Sequence, residues 1–367
     1  MNKHLNDRKA ARARGLGASA LACALFMTLL AGCAQPGGSG PTGPTLGVFT
    51  SGYYNNGSMD LPCYWKGTTR VDLPIDPAVA PFGGHANAIA VSGGTVYTAG
   101  YQEGGDEAAC YWAGTTRIDM GGSKANAIRV VDGTVYTAIE GDWYTPSFYY
   151  GAKYGTGTTL TALPGIDPPA GSTNLYAGDF FAYGIDVAGG IVYTSGYCRD
   201  GTGGFVACYW TGTTRTDIPE GDSTTAISVS GGQVYTSGSY WSGTTEIPCY
   251  WTGTVVTDLP SGGAHNGIAQ AIEVAGGTVY TAGYCTNGSR DIPCYWTGTV
   301  RTDLPDDGTH GARAQGIAVL GGVVYTAGYY NDGSNDIPCY WKGATRVELP
   351  RDGINNAYAT GIVVVEE

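Results

Sequence analysis

Beyond residue 45 the apolar residues come in short β-rich runs separated by turn residues. Nowhere there do apolar residues return at the 3.6-residue interval of an amphipathic helix. The runs recur as a unit. Val-(Tyr/Phe)-Thr stands at Val48, Val96, Val135, Val192, Val234, Val279 and Val324, at spacings of 48, 39, 57, 42, 45 and 45 residues. Cys-Tyr-Trp begins at Cys63, Cys110, Cys208, Cys249, Cys294 and Cys339. A small-residue segment closing on Ile-x-Val falls at Ile89, Ile128, Ile185, Ile227, Ile272, Ile317 and Ile362. Turn pairs such as Gly93-Gly94 and Asp132-Gly133 part the runs, and a Thr-rich segment ends most units in Leu-Pro or a relative. Four short strands in about 45 residues is the size of a propeller blade. The seven units predict an all-β fold, a seven-bladed β-propeller of four-stranded antiparallel blades.

The chain ends are offset in a way that suits a ring. The repeat region opens at Leu46-Gly47-Val48-Phe49, a second strand with no first strand before it. It closes on Ala359-Thr360-Gly361-Ile362-Val363-Val364-Val365, a first strand with nothing after it. The C-terminal strand is therefore expected to complete the first blade and remove an open sheet edge. Tyr and Trp of Cys-Tyr-Trp are expected to supply flat area between blades. The outer pairs Arg70/Asp72, Arg117/Asp119, Arg215/Asp217 and Arg301/Asp303 are read as charges that keep an edge strand from pairing with other sheets.

Strand direction alternates in a four-stranded meander, so the second-to-third loops and the blade-to-blade loops share one face. Nearly all length variation is on that face, where binding usually lives. Its longest unit carries Trp143, Tyr144, Phe148, Tyr149 and Tyr150 in one loop and Leu175, Tyr176, Phe180 and Phe181 in the next, and the fifth unit adds Tyr240 and Trp241. The same unit has Leu160 and Ala162 where others have the Arg/Asp pair. Trp143, Tyr144, Tyr176, Phe181 and Trp241 are the expected ligand-binding residues, for sugar rings or a partner's apolar side chains. A local mini-core under long loops is the other reading of the same aromatics.

Charge and composition narrow the class. Of 367 residues 61 are Gly, without a G-X-Y period, and only 14% are charged, against about 25% in average usage. The net charge of −12 opposes nucleic-acid binding, which needs concentrated positive charge. The N-terminus adds an address: Lys3, Arg8, Lys9, Arg12 and Arg14 precede an apolar run from Leu16 to Leu30, too short to span a bilayer. The run ends Leu30-Ala31-Gly32-Cys33, which resembles a bacterial lipobox. That resemblance implies a signal peptide over 1–32, lipid on Cys33, and attachment to the envelope. Losing five cations and Asp7 leaves 14 basic against 30 acidic residues, so the lipid alone would hold the membrane. Residues 33–45 read as the lipidated Cys and a Gly/Pro tether, and 46–367 as the propeller. Ala34 after the lipid Cys resembles outer-membrane sorting.

The remaining chemistry is sparse. The extra Cys198 and Cys285 stand 10 and 9 residues before Cys208 and Cys294 across one hairpin, so cross-strand disulfides are an open option in an exported chain. His85, His265 and His310 fall in exits of different units and are read as loop residues, not a metal site. Asn55-Asn56-Gly57-Ser58 and Asn331-Asp332-Gly333-Ser334 fit hairpin turns better than calcium loops. No G-x-S-x-G, H-E-x-x-H or phosphate-loop motif is present, and no cofactor is expected. Asp186 and Glu273, on the innermost strands, are candidates to line the channel beside Arg129, but two isolated carboxylates do not make a glycosidase.

Ala314-Gln315-Gly316-Ile317, Gly322-Val323-Val324, Cys339-Tyr340-Trp341-Lys342-Gly343 and Glu348-Leu349 resemble the repeat of bacterial extracellular tandem-repeat propellers of the HAF type. The resemblance implies an exported repeat protein and brings no catalytic residue. The expected function is a monomeric, non-enzymatic envelope lipoprotein presenting a binding surface to a protein or glycan. A carbohydrate-active hydrolase or lyase on the same scaffold is the alternative.

Overall fold

In the computed structural model the described residues are 45–367, less 79–80, 105–106, 145–148, 166–179, 200–203, 264 and 354. They form 28 strands and no helix. The first meander is β1 (Leu46–Asn55), β2 (Asp60–Lys66) and β3 (Thr69–Asp72); the second is β4 (Gly83–Ser92), β5 (Thr95–Glu103), β6 (Glu107–Ala113) and β7 (Thr116–Asp119). The third runs through β8 (Lys124–Val131), β9 (Thr134–Tyr144), β10 (Tyr149–Thr156) and β11 (Thr159–Ala162). The fourth is β12 (Phe180–Ala188), β13 (Ile191–Arg199), β14 (Phe205–Thr211) and β15 (Thr214–Asp217). The fifth comprises β16 (Ser223–Ser230), β17 (Gln233–Ser242), β18 (Thr245–Thr252) and β19 (Val255–Asp258). Then come β20 (Gly267–Ala275), β21 (Thr278–Thr286), β22 (Asp291–Thr297) and β23 (Val300–Asp303), and β24 (Ala312–Leu320), β25 (Val323–Asn331), β26 (Asp336–Lys342) and β27 (Thr345–Glu348). Last is β28 (Ala357–Glu366), which pairs antiparallel with β1, with Val364 opposite Val48 and Tyr358 opposite Tyr53. A single bridge, Asp60 to Gly83, links the first meander to the second.

Turn chemistry sets the hairpins. Gly93 and Gly94 hold φ at 55° and 75°, which matches the twist a two-residue hairpin needs and which a side chain would strain. First strands then contact one another in order: β4 with β8, β8 with β12, and so on through β24 with β28 and β28 with β4. Each bears one extra residue relative to its partner, a bulge at Asn87, Asn126, Tyr183, Thr225, Gln270, Gln315 or Thr360. A bulge re-aims its side chain. Here four of them reach the neighbouring sheet: Asn87 donates to the Ala125 carbonyl (3.2 Å), Asn126 to Ala182 (3.0 Å), Thr225 to Ala269 (2.6 Å) and Thr360 to Ala86 (2.7 Å).

A second set of links comes from the middle residue of Ile-x-Val. Asp186 accepts from the Val229 amide (2.7 Å), Ser228 from Val274 (3.3 Å) and Glu273 from Val319 (3.0 Å), each one sheet onward. The two acids thus serve as acceptors between sheets, Asp186 also lying 3.3 Å from Arg129. Between β24 and β28 the contact is steric: a Cβ on Gly316 would meet Gly361 Cα at 3.1 Å.

Farther out, Trp65, Trp112, Trp210, Trp296 and Trp341 are fully buried. Each indole N–H donates to the carbonyl of the Pro ending the preceding meander: Pro350, Pro74, Pro164, Pro260 and Pro305, at 2.8 to 3.1 Å. Leu-Pro and Cys-Tyr-Trp are therefore two halves of one inter-sheet lock. In the third meander both halves are missing: Tyr154 replaces Trp, and the segment before it reads Asp119-Met120-Gly121 with no Pro. The outer Arg residues also do more than shield an edge. Arg70 lies over the Tyr54 ring at 3.7 Å and Arg346 over Tyr330 at 3.8 Å, while Arg117 donates to Gln102 at 2.7 Å.

Candidate functional site

One residue pair per sheet sits just beyond the bulge, toward the loop end of the first strand. The pairs are Tyr53 opposite Tyr358, Tyr101 opposite His85, Glu140 opposite Lys124, Tyr197 opposite Phe181, Ser239 opposite Ser223, Tyr284 opposite Ile268 and Tyr329 opposite Arg313. The backbone makes room for them in a specific way. At Gly100 a Cβ would stand 1.9 Å from the His85 carbonyl, and at Gly52 2.0 Å from that of Tyr358. Only glycine lets the bulged strand come that close.

Aromatic rings connect across three of these sheets. Tyr329 meets Tyr358 edge-on at 4.9 Å, Tyr358 meets Tyr53 at 5.0 Å, and Tyr53 stacks flat on His85 at 3.6 Å and 1°. His85 continues to Tyr101 at 5.0 Å, whose ring lies 5.0 Å from Lys124 Nζ. Carboxylates border this arc. Asp60 Oδ2 lies 3.2 Å from His85 Nε2, and the Tyr101 hydroxyl 2.9 Å from His85 Nδ1. The Tyr101 hydroxyl also donates to Glu103 Oε1 at 3.4 Å, so Asp60, His85, Tyr101 and Glu103 form one hydrogen-bonded chain. The Tyr358 hydroxyl donates to Asp336 at 2.7 Å, and Arg313 pairs with Asp291 and covers Tyr284 at 4.2 Å.

Electrostatics divides these groups. The hydrogen bond from His85 holds the Asp60 carboxyl below its ordinary range. Burial, reinforced by nearby acids, pushes the Tyr53, Tyr101 and Tyr358 phenols up, so they remain neutral donors. Burial also raises Glu140 and Glu246. Rings beside fixed donors and acceptors combine apolar area with polar edges.

The structure distributes the residues expected from sequence differently. Trp143 and Tyr144 are the last residues of β9, with backbones opposite Tyr150 and Tyr149, and so lie on a strand where a loop was expected. Their side chains, and all of Tyr176, lie outside the described residues. Phe181 joins Tyr197 (4.9 Å) and Tyr183 (6.4 Å), and Tyr197 meets Phe205 edge-on at 5.2 Å, an aromatic row along the fourth sheet. Trp241 is 53% exposed and lines a groove of ≈ 620 Å³ with Phe205, Asp217, Glu220, Asp222 and Tyr240.

His85 belongs to β4, not to a loop, and His310 is held by Asp307 at 2.5 Å. No cluster of metal-binding side chains occurs among the described residues. The side chains of Asn56, Asn287 and Asp332 accept backbone amides of their own turns, as hairpin residues do. The Tyr53–His85–Tyr101 group comes together only through strand pairing and contact between sheets. Its signal was the recurring Gly-Tyr at Gly52, Gly100, Gly196, Gly283 and Gly328.

No protein-family model and no curated protein matches the chain. Solved structures do. The β-propeller domain of the Trilobed protease from Pyrococcus furiosus aligns with a TM-score of 0.50 at 8% identity, covering 84% of this chain and 95% of that one. A putative 6-phosphogluconolactonase from Bacteroides uniformis aligns at 0.46 and 12%, covering 87% and 99%. A polysaccharide lyase, the PL25 ulvan lyase, aligns at 0.46 and 12%, covering 71% and 81%. The likeness is one of fold: four-stranded antiparallel sheets with β-propeller neighbours.

Proposed function

We propose that the chain is a seven-bladed propeller closed by β28, exported and tethered through lipidated Cys33, that binds a glycan on its loop-end face without transforming it. The contacts running from β28 back to β4 and the Trp65–Pro350 lock support the closure. The observation that carries the binding reading is the arc Tyr329–Tyr358–Tyr53–His85, half-buried rings backed by the buried Tyr101 and edged by hydrogen-bonding carboxylates. Trp241 and Phe181 extend the same aromatic character to the fourth and fifth sheets. The test is a glycan binding screen with the full chain, followed by calorimetry on Tyr53→Ala, Trp241→Ala and the Trp143→Ala/Tyr176→Ala pair. Loss of affinity with an unchanged Tm supports the reading, and unchanged affinity in all of them rejects it. For the anchor, Cys33→Ala is expected to abolish palmitate incorporation and release the protein from membranes.

The Asp60–His85–Tyr101 chain favours a second reading, proton transfer to a bound sugar by a carbohydrate-active hydrolase or lyase. Release of reducing ends or unsaturated sugars from polysaccharides, lost in His85→Gln, would establish it in place of simple binding.

A further inference from the structure

All eight described cysteines carry free thiols in buried positions, and four of them stand in pairs. Cys198 Sγ lies 3.5 Å from Cys208 Sγ in the fourth sheet, and Cys285 Sγ 4.0 Å from Cys294 Sγ in the sixth. The partner directly opposite Cys208 is Gly196, and opposite Cys294 is Gly283, so no side chain covers either thiol across the ladder. The residue two positions on leans over instead. In other sheets that residue is long and ties the second strand to the outer one. Tyr54 packs under Arg70, Gln102 accepts from Arg117, Tyr240 donates to Asp258 and Tyr330 donates to Glu348. Cysteine is too short for that reach, and what it meets is the thiol of the third strand.

We propose that Cys198–Cys208 and Cys285–Cys294 are disulfide-forming pairs that staple the second strand to the third where the outer tie is missing. The Cys294 thiol donates toward Cys285, and that hydrogen bond, with Arg301 nearby, draws the Cys285 thiol down. The four thiols are fully buried in the folded sheets, so the reaction runs while the hairpins are still open: one cysteine thiolate attacks a small-molecule or protein disulfide, such as glutathione disulfide, and expels one thiolate of that donor. The neighbouring thiolate then attacks the mixed disulfide and expels the second. Two cysteines are oxidised, the donor disulfide is reduced to two thiols, and the two cysteine protons pass to the solvent or the released thiolates. The two cysteines of each pair are diagonal neighbours, Cys198 standing opposite Val206 and Cys285 opposite Ile292, and closing the bond brings their sulfurs from contact to about 2.05 Å.

The test is to unfold the full chain, refold it in buffer containing glutathione disulfide, alkylate in denaturant and map the peptides. The expected result is Cys198 linked to Cys208 and Cys285 linked to Cys294, with Cys63, Cys110, Cys249 and Cys339 alkylated. Refolded with dithiothreitol instead, the chain should keep its circular dichroism spectrum and melt several degrees lower. That difference should vanish in Cys198→Ser/Cys285→Ser. Alkylation of Cys198, Cys208, Cys285 and Cys294 after oxidative refolding, or their linkage to other cysteines, would overturn the proposal. Either result leaves the glycan reading to its own assay.

Discussion

Six tryptophans occupy equivalent buried positions, and five of them donate to a proline carbonyl. The sixth, Trp251, has its Nε1 buried without a partner among the described residues. Replacing each by Phe removes the same indole area from the same fully buried setting, so the packing loss is close to constant across the series. The hydrogen bond is not. Trp65→Phe, Trp112→Phe, Trp210→Phe, Trp296→Phe and Trp341→Phe each forfeit a bond worth about 1 kcal/mol net. Trp251→Phe instead relieves a buried unsatisfied donor, returning about 1 kcal/mol or more. The five should therefore fall below Trp251→Phe by about 2 kcal/mol. With an unfolding entropy of about 2.1 cal/mol/K per residue over about 320 residues, that is roughly 3 °C in Tm. Urea titration with a common m-value and thermal melts read the difference. A Trp251→Phe protein no more stable than the other five would refute the lock.

Two further outcomes follow from the same contacts. Deleting residues 359–367 removes Ile362 and Val364, both nearly fully buried, and the Thr360 bond to Ala86. At about 1.5–3 kcal/mol per aliphatic side chain the loss is at least about 3 kcal/mol, and a truncated chain melting within about a degree or two of the intact one would contradict ring closure. For Glu140, burial raises the folded carboxyl above its unfolded value. The charged form therefore weakens the fold at neutral pH, and that penalty fades as pH falls through the raised folded pKa and is gone below the unfolded one. Glu140→Gln should gain stability at pH 7 and none near pH 4, as denaturant titrations at both pH values would show; an equal effect at both would dismiss the buried-charge account.

Much of this protein was legible before any coordinates. Short β-rich runs, turn pairs and the recurrence of Val-Tyr-Thr, Cys-Tyr-Trp and Ile-x-Val are local properties of the chain. Strand number, meander order and the offset of Leu46 against Ala359 followed from them. The pairing of β28 with β1 was likewise expected from that offset, and the register placed Val364 opposite Val48. Spacing could also bring Cys198 near Cys208, since both lie on one hairpin.

What tertiary structure decided were the contacts between units, because nothing local encodes which neighbour a side chain meets. Leu-Pro and Trp lie 36 to 46 residues apart in most sheets, and 285 apart for Trp65 and Pro350, yet form one lock. Asp186 and Glu273 read as isolated acids and became acceptors for the next sheet's amides. A further aromatic group, apart from the residues expected on the longest loops, stands beside the bulges, where one extra residue per first strand sets His85 and Tyr358 opposite Tyr101 and Tyr53. A bulge is a shift of register between two strands, visible only once both are paired, and it is the pairing that assembled these rings.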